Sequence, residues 1–277
     1  MIVKLALEDT FGDIVRKTAR AKGIELSRLA AQAGADPKRV EQFAKDAASP
    51  SESEARALAK ALRLDPGKLA DIAFSRWHPA QNPLPEHVDH QINRPHPSNG
   101  YFVILERQRL AAFVDPGGDV PNILATLRRS PVALDYILVT HKHADHIDGV
   151  PDVRRAFPRA RIAVHKLDAQ ALGGLSRDAL MVGDGDSLPF GAGAIRVVHT
   201  PGHTDGSICF IYQSSIFTGD TLFAGSVGGC FGDRFGYDDL LHSAGAKIFS
   251  LPNETVVLPG HGPPSTIAEE RAHNPFF

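Results

Sequence analysis

The chain has 277 residues, of which 43% are hydrophobic and 22% charged, so it can bury a core without staples and is long enough for two domains. A net charge of −2 and a pI near 6.7 argue against a surface built to bind polyanions over its whole extent. Two cysteines, Cys209 and Cys230, fit a reducing compartment better than a disulfide scaffold.

In chain order, Lys4, Glu8, Asp9 and Asp13 break up the N-terminus, which therefore lacks the apolar centre of a signal peptide. No apolar run reaches the roughly 18–20 residues that span a bilayer, so a cytoplasmic protein without membrane contact is expected. From Phe11 to Ala73 the pattern is helical: Phe11, Ile14 and Val15 share a face, then Leu26, Leu29 and Ala30, then Val40 and Phe43. Gly34 separates the second and third helices, and Asp36-Pro37 is a good helix start. Ser51 and Glu54 form a capping-box pattern at the head of a fourth helix ending near Leu62, and Pro66 opens a fifth. Residues 1–76 thus read as a small all-α domain. Residues 77–98, with Trp77-His-Pro-Ala-Gln-Asn-Pro-Leu-Pro85, read as a proline-rich linker and the entry to a third segment, 99–277. His78, His87, His90 and His96 lie in or near this linker and are expected at the surface.

In the third segment, Tyr136-Ile-Leu-Val139 is followed by Thr140-His-Lys-His-Ala-Asp-His146, three imidazoles and a carboxylate within six residues. Such a cluster is costly to gather unless every group is paired, and it suits a first-row divalent ion. Three more pieces follow the same rule of strand, turn and ligand-competent side chain. His203 sits in His199-Thr-Pro-Gly-His-Thr-Asp-Gly-Ser207 after Ala194–Val198; Asp220 ends Ile216-Phe-Thr-Gly-Asp220; His261 lies in Val256-Val-Leu-Pro-Gly-His-Gly262. Each motif is weak alone; four in order describe a metal site assembled from loops along one edge of a β structure.

The ordered set H-x-H-x-D-H, T-P-G-H-T, G-D and P-G-H-G resembles the metallo-β-lactamase fold hydrolases, and within them the short glyoxalase II-type thioesterases. Val114-Asp-Pro-Gly117, Gly183-Asp-Gly-Asp186 and the ending from Pro259 to Phe277 are similar to the short bacterial members, and the resemblance covers roughly residues 85–277. It implies an α+β fold, an αββα sandwich behind the helical domain. It also implies that His141, His143 and His203 hold one metal, that Asp145, His146 and His261 hold a second, and that Asp220 bridges both. A hydroxide shared by the two ions would attack the thioester carbonyl, with Asp145 orienting it. Zinc is the default, and iron or manganese suits the same ligands. The substrate implied is a small-molecule thioester, most simply a hydroxyacylglutathione.

Two departures from that pattern bear on substrate. With sixteen residues after His261, the helical C-terminal domain of full-length glyoxalase II is not expected here, and Gly229 stands where short relatives tend to carry an arginine. Asp115 is a candidate to orient a ligand imidazole, or else caps a turn. Phe223, Cys230 and Tyr237 are candidates to line the substrate pocket; core packing accounts equally well for Phe223 and Tyr237, and a small loop residue for Cys230. A related branch, the persulfide dioxygenases, holds one iron with two histidines and an aspartate, which makes sulfur oxidation the alternative enzyme class.

The N-terminal helices resemble repressor-type helix-turn-helix domains, in which the third helix, here about Asp36–Lys45, enters the DNA major groove. Lys38, Arg39 and Lys45 are opposed there by Asp36, Glu41 and Asp46, which leaves little surplus charge for phosphate. DNA is therefore not the favoured partner, a structural or dimerising role comes first, and a DNA-binding regulator with a metallo-hydrolase-like sensor is the third reading. A homodimer is compatible with the sequence.

Overall fold

Ten helices and fourteen strands make up the described part of the computed structural model, which covers residues 6–80, 83–118, 120–129 and 132–277. Lys4 and residues 81 and 82 of the proline-rich segment lie outside it. The first five helices are α1 (Phe11–Ala21), α2 (Leu26–Ala33), α3 (Pro37–Phe43), α4 (Glu52–Leu62) and α5 (Pro66–Ala73), matching the periodicity read from the sequence. Their caps explain the boundaries. Ser51 and Glu54 form a reciprocal box at α4, Asp36 and Asp65 cap α3 and α5 ahead of a proline, and Gly34 closes α2 at φ +63°. Ile14, Leu29, Val40, Phe43, Leu58 and Leu62 fill the centre of this bundle.

Two six-stranded sheets follow. The first runs β1 (Val88–Ile92), β2 (Asn99–Leu105), β3 (Leu110–Val114), β4 (Ala133–Leu138), β5 (Arg161–His165) and β6 (Leu180–Val182) in that order. Its first three strands pair antiparallel and β3 to β6 pair parallel, with α6 (Val120–Arg129), α7 (Ala144–Ile147) and α8 (Val150–Ala156) in the crossovers. The second sheet is ordered β14 (Ser265–Thr266), β13 (Val256–Pro259), β10 (Ser215–Gly219), β9 (Ile208–Tyr212), β8 (Gly193–His199), β7 (Ser187–Phe190). A short hairpin, β11 (Leu222–Phe223) and β12 (Ser226–Val227), precedes α9 (Tyr237–Ser243), and α10 (Ile267–His273) ends the chain.

Period two sorts the side chains into layers. Along β9, Ile208, Phe210 and Tyr212 enter the core between the sheets, while Cys209 and Ile211 join the cluster with Leu240 of α9 and Ile267 of α10. On β4, Tyr136 and Leu138 face inward and Ile137 packs outward with Ile123 of α6 and Val153 of α8. Strands buried on both faces read as unbroken apolar runs, which is why 136–139 was legible as a strand. The result is helices, sheet, sheet, helices.

One element departs from expectation. β1 lies inside the segment read as linker, because Val-Asp-His-Gln-Ile carries little strand signal of its own and gains its ladder from β2. His87 and His90 accordingly pack rather than project: His90 stacks on Tyr101 and bonds Asn99 Oδ1 at 2.9 Å, and His87 meets the edge of Tyr212. Among the described residues no helix is long and apolar enough to cross a membrane.

Candidate metal centre

The parallel strands β3, β4 and β5 of one sheet and β10 and β13 of the other end at a common edge, and the loops beyond them carry the polar residues. Asp115 follows β3, His141 to His146 follow β4, Asp168 follows β5, Asp220 follows β10 and His261 follows β13, while His203 comes from the β8–β9 loop. The ligand-competent atoms of His141, His143, His203 and Asp220 lie within 4.8 Å of one another, as do those of Asp145, His146 and His261. All seven residues named from the sequence are therefore brought together.

Asp220 stands between the two groups. Its Oδ2 is 3.4 Å from His203 Nε2 and 3.9 Å from His141 Nε2, and its Oδ1 is 3.4 Å from His146 Nε2. Asp145 Oδ2 lies 3.3 Å from His146 Nε2 and 3.1 Å from His261 Nε2. His203 Nε2 and His143 Nδ1 meet at 2.9 Å. The buried atoms His141 Nε2 and Asp220 Oδ1 have no hydrogen-bond partner. Buried polar atoms are normally paired, so a donor set of imidazoles and carboxylates with orphaned atoms turned inward fits divalent cations.

The outward ring nitrogens show how the imidazoles are aimed. His146 Nδ1 donates to Asp115 Oδ2 at 2.9 Å, His203 Nδ1 to the Gly229 carbonyl at 2.6 Å, and His141 Nδ1 to Thr140 Oγ1 at 3.0 Å. Each of these bonds turns Nε2 toward the cluster. Asp115 also accepts from Thr140 N and Thr140 Oγ1, at 2.8 and 2.6 Å, so its carboxylate is spent on support although it lies near His141 and His146. Gly229, at the position where an arginine was looked for, contributes its backbone.

Charge is distributed unevenly over the two groups. Burial and the neighbouring imidazoles push His141 well below the ordinary histidine range, and burial lowers His143 and brings His203 to about 4. A shift in this direction favours the neutral ring, the form that can give a lone pair to a cation. Burial would also lower His146 and His261, but Asp220 and Asp115 raise the first and Asp145 raises the second. Burial would raise Asp145 and Asp220; hydrogen bonds from His146 and His261 hold Asp145 far below the carboxylate range, and the charges of His146, His203 and His261 hold Asp220 low.

The remaining candidates separate. The Phe223 ring is 5.8 Å from His261, at the edge of the centre. Tyr237 packs against Phe276 with Lys22 over its ring, and half-buried Cys230 joins the apolar cluster under α9 and α10. Two residues were not singled out from the sequence. Phe231, 54% exposed, sets its ring 5.5 Å from His143 and 5.6 Å from His203. Buried Asp168 accepts from Lys142 N at 3.0 Å, Thr204 Oγ1 at 2.6 Å and Gly206 N at 3.1 Å, tying the two ligand loops together. Its position at the end of β5, like that of Asp115 after β3, was the available signal.

The family model described as the metallo-beta-lactamase superfamily matches residues 93–261, more than half of the chain. The chain belongs to the metallo-beta-lactamase superfamily. Among superfamily relatives, hydroxyacylglutathione hydrolase GloC of Haemophilus influenzae is 29% identical over 192 residues, 63% of this chain and 91% of that protein. The BLEG-1 B3 metallo-beta-lactamase structure is similar at a TM-score of 0.61 and 35% identity, covering 68% of this chain and 98% of that one. TTHA1623 in a di-iron-bound form is similar at a TM-score of 0.58 and 30% identity, covering 68% of this chain and the whole of the other. The chain is accordingly a member of a metallohydrolase superfamily of mixed α and β structure whose residues can hold metal.

Proposed function

We propose that the protein is a dinuclear metallohydrolase that cleaves a thioester, with a hydroxyacylglutathione as the first substrate class to test. The observation that carries this reading is Asp220, whose carboxylate lies 3.4 Å from His203 Nε2 of one group and 3.4 and 3.6 Å from His146 Nε2 and His261 Nε2 of the other. Its donor set matches what the fold resemblance implies: His141, His143 and His203 would hold one ion, Asp145, His146 and His261 the other, and Asp220 both. Two bound divalent ions supply a water-derived nucleophile at neutral pH and positive charge for a carbonyl oxygen under attack.

The chain's own residues do the rest. Asp145, with 24% of its side chain exposed, presents a carboxylate at the mouth that can accept a hydrogen bond from the attacking water. Phe231, which is exposed, offers apolar surface beside His143 and His203 for the acyl portion, whereas Phe223 is buried behind His261. A thiolate leaves readily, so the site needs no dedicated acid. Burial pushes the thiols of Cys209 and Cys230 up to about 11, so neither is a thiolate nucleophile at pH 7.

Zinc is the metal proposed, and the same ligands accept iron or manganese. The relation to GloC favours a glutathione thioester. For the helical bundle we favour a structural role over DNA reading: Arg39 of α3 is committed to Glu54 at 2.6 and 3.0 Å and lies over the Phe43 ring, which removes a cation from the helix that would face phosphate. S-lactoylglutathione turnover by the zinc-loaded chain tests the function, with an acyl-coenzyme A thioester and a β-lactam as comparators. Hydrolysis of S-lactoylglutathione above both is expected. Oxygen uptake with a persulfide and one bound iron would replace this reading with sulfur oxidation.

A further inference from the structure

The helical bundle reaches the metal centre. Leu7 is packed against the bundle core, and Thr10 and Asp13 form a reciprocal cap on α1, so the residues between them are held in place. Glu8 lies in that segment, and its backbone runs over the loop that carries His261. A Cβ on Gly262, already at φ +74°, would stand 3.0 Å from the Glu8 nitrogen and 3.3 Å from its Cβ. The Glu8 carboxylate is 4.0 Å from His261 Nδ1, too long for a direct hydrogen bond but within reach of a charge interaction or one bridging water. The contact is secured from α1, where the part-buried Lys17 ammonium joins Asp9 to Ser226 Oγ (2.7 Å) and to the Val227 carbonyl of the β11–β12 hairpin. Lys17 Nζ also lies 5.8 Å from the Phe223 ring, whose edge meets His261.

The outward nitrogens of His141, His146 and His203 are each hydrogen-bonded inside the sandwich. Among the described residues His261 Nδ1 has no such partner, and no carboxylate other than Glu8 lies within 4.0 Å of it. Ligand imidazoles are regularly oriented, and made better donors to metal, by a carboxylate at the second nitrogen. We propose that Glu8, supplied by the helical bundle, is a positioning residue that orients His261 and so supports the ion held by Asp145, His146 and His261. The bundle is then part of the metal centre rather than a separate module beside it. This inference rests on the dinuclear reading above.

The test is metal retention by the full chain, loaded with zinc and titrated with a competing chelator, with zinc per chain read by elemental analysis. In Glu8→Gln and Glu8→Ala one of the two ions should be lost at about 10-fold lower chelator concentration, the other unchanged. The exposed Glu41→Gln on α3 controls for net charge and should match the parent. Glu8 variants that retain both ions like the parent would overturn the proposal, as would equal weakening of both ions or an equal effect of Glu41→Gln. A parent chain that holds a single ion would instead defeat the dinuclear reading, and this inference with it.

Discussion

Gly260 shows how closely the backbone is drawn round the ligands. A Cβ there would stand 2.3 Å from Asp220 Oδ1 and 2.7 Å from His146 Cε1, closer than any real contact. Gly260→Ala should leave the sheets folded but displace both ligands, lowering kcat/KM by about 100-fold or more, the scale on which a 1 Å misplacement acts. Steady-state kinetics and metal content check this; parent-like activity would refute the geometry. A second residue sets a pH dependence. Glu270 is fully buried, accepts from Gly225 N and Asn274 Nδ2 at 3.1 and 2.8 Å, and is pushed by burial to about 7. An acid raised in the folded state contributes stability that is present below its unfolded value, near 4.5, and is lost as pH rises through about 7. Glu270→Gln should therefore flatten the fall in melting temperature between pH 5 and 8, whereas an unchanged profile would assign that fall elsewhere. The seven candidate ligands were legible because four lie in one short run and the other three repeat strand, turn and ligand. Phe231 and Asp168 were not, because a single aromatic or acid in a loop is shared by many unrelated turns.

Strand ends, more than strands, determine the site. Asp168 at the end of β5 accepts three hydrogen bonds from the loops carrying His141–His146 and His203. Removing it strands two backbone N–H groups and leaves the Thr204 hydroxyl only Ser207, so Asp168→Ala should cost about 2–4 kcal/mol in urea unfolding and reduce turnover without removing a ligand. A loss below about 0.5 kcal/mol, typical of an ordinary surface substitution, would show that the loops hold themselves. Helices α1 to α5 were legible because caps and periodicity agree, as Ser51 with Glu54 and Asp36 with Pro37 illustrate. β1 was missed because its identity comes from pairing with β2 and not from its own residues.

At the scale of the whole molecule, the bundle and the sandwich share contacts that no local reading could show. Lys17 and Ser226 are 209 residues apart, and the Lys68 ammonium bonds the carbonyl of Arg271 at 2.8 Å. Trp77 stacks on His273 at 4.8 Å, and Phe276 packs into the bundle cluster. Composition and a proline-rich boundary suggested separable parts; side-chain contacts over this range join them. One cooperative calorimetric transition is expected for the full chain, and two well-separated transitions would contradict such coupling. The central claim is that two sets of ligands share Asp220. The direct measurement is metal content of the full chain and of Asp145→Ala, both purified without added metal. The account predicts two divalent ions per chain, falling to one in the variant with loss of most thioester turnover. One ion in both proteins, or two in both with turnover retained, would contradict it.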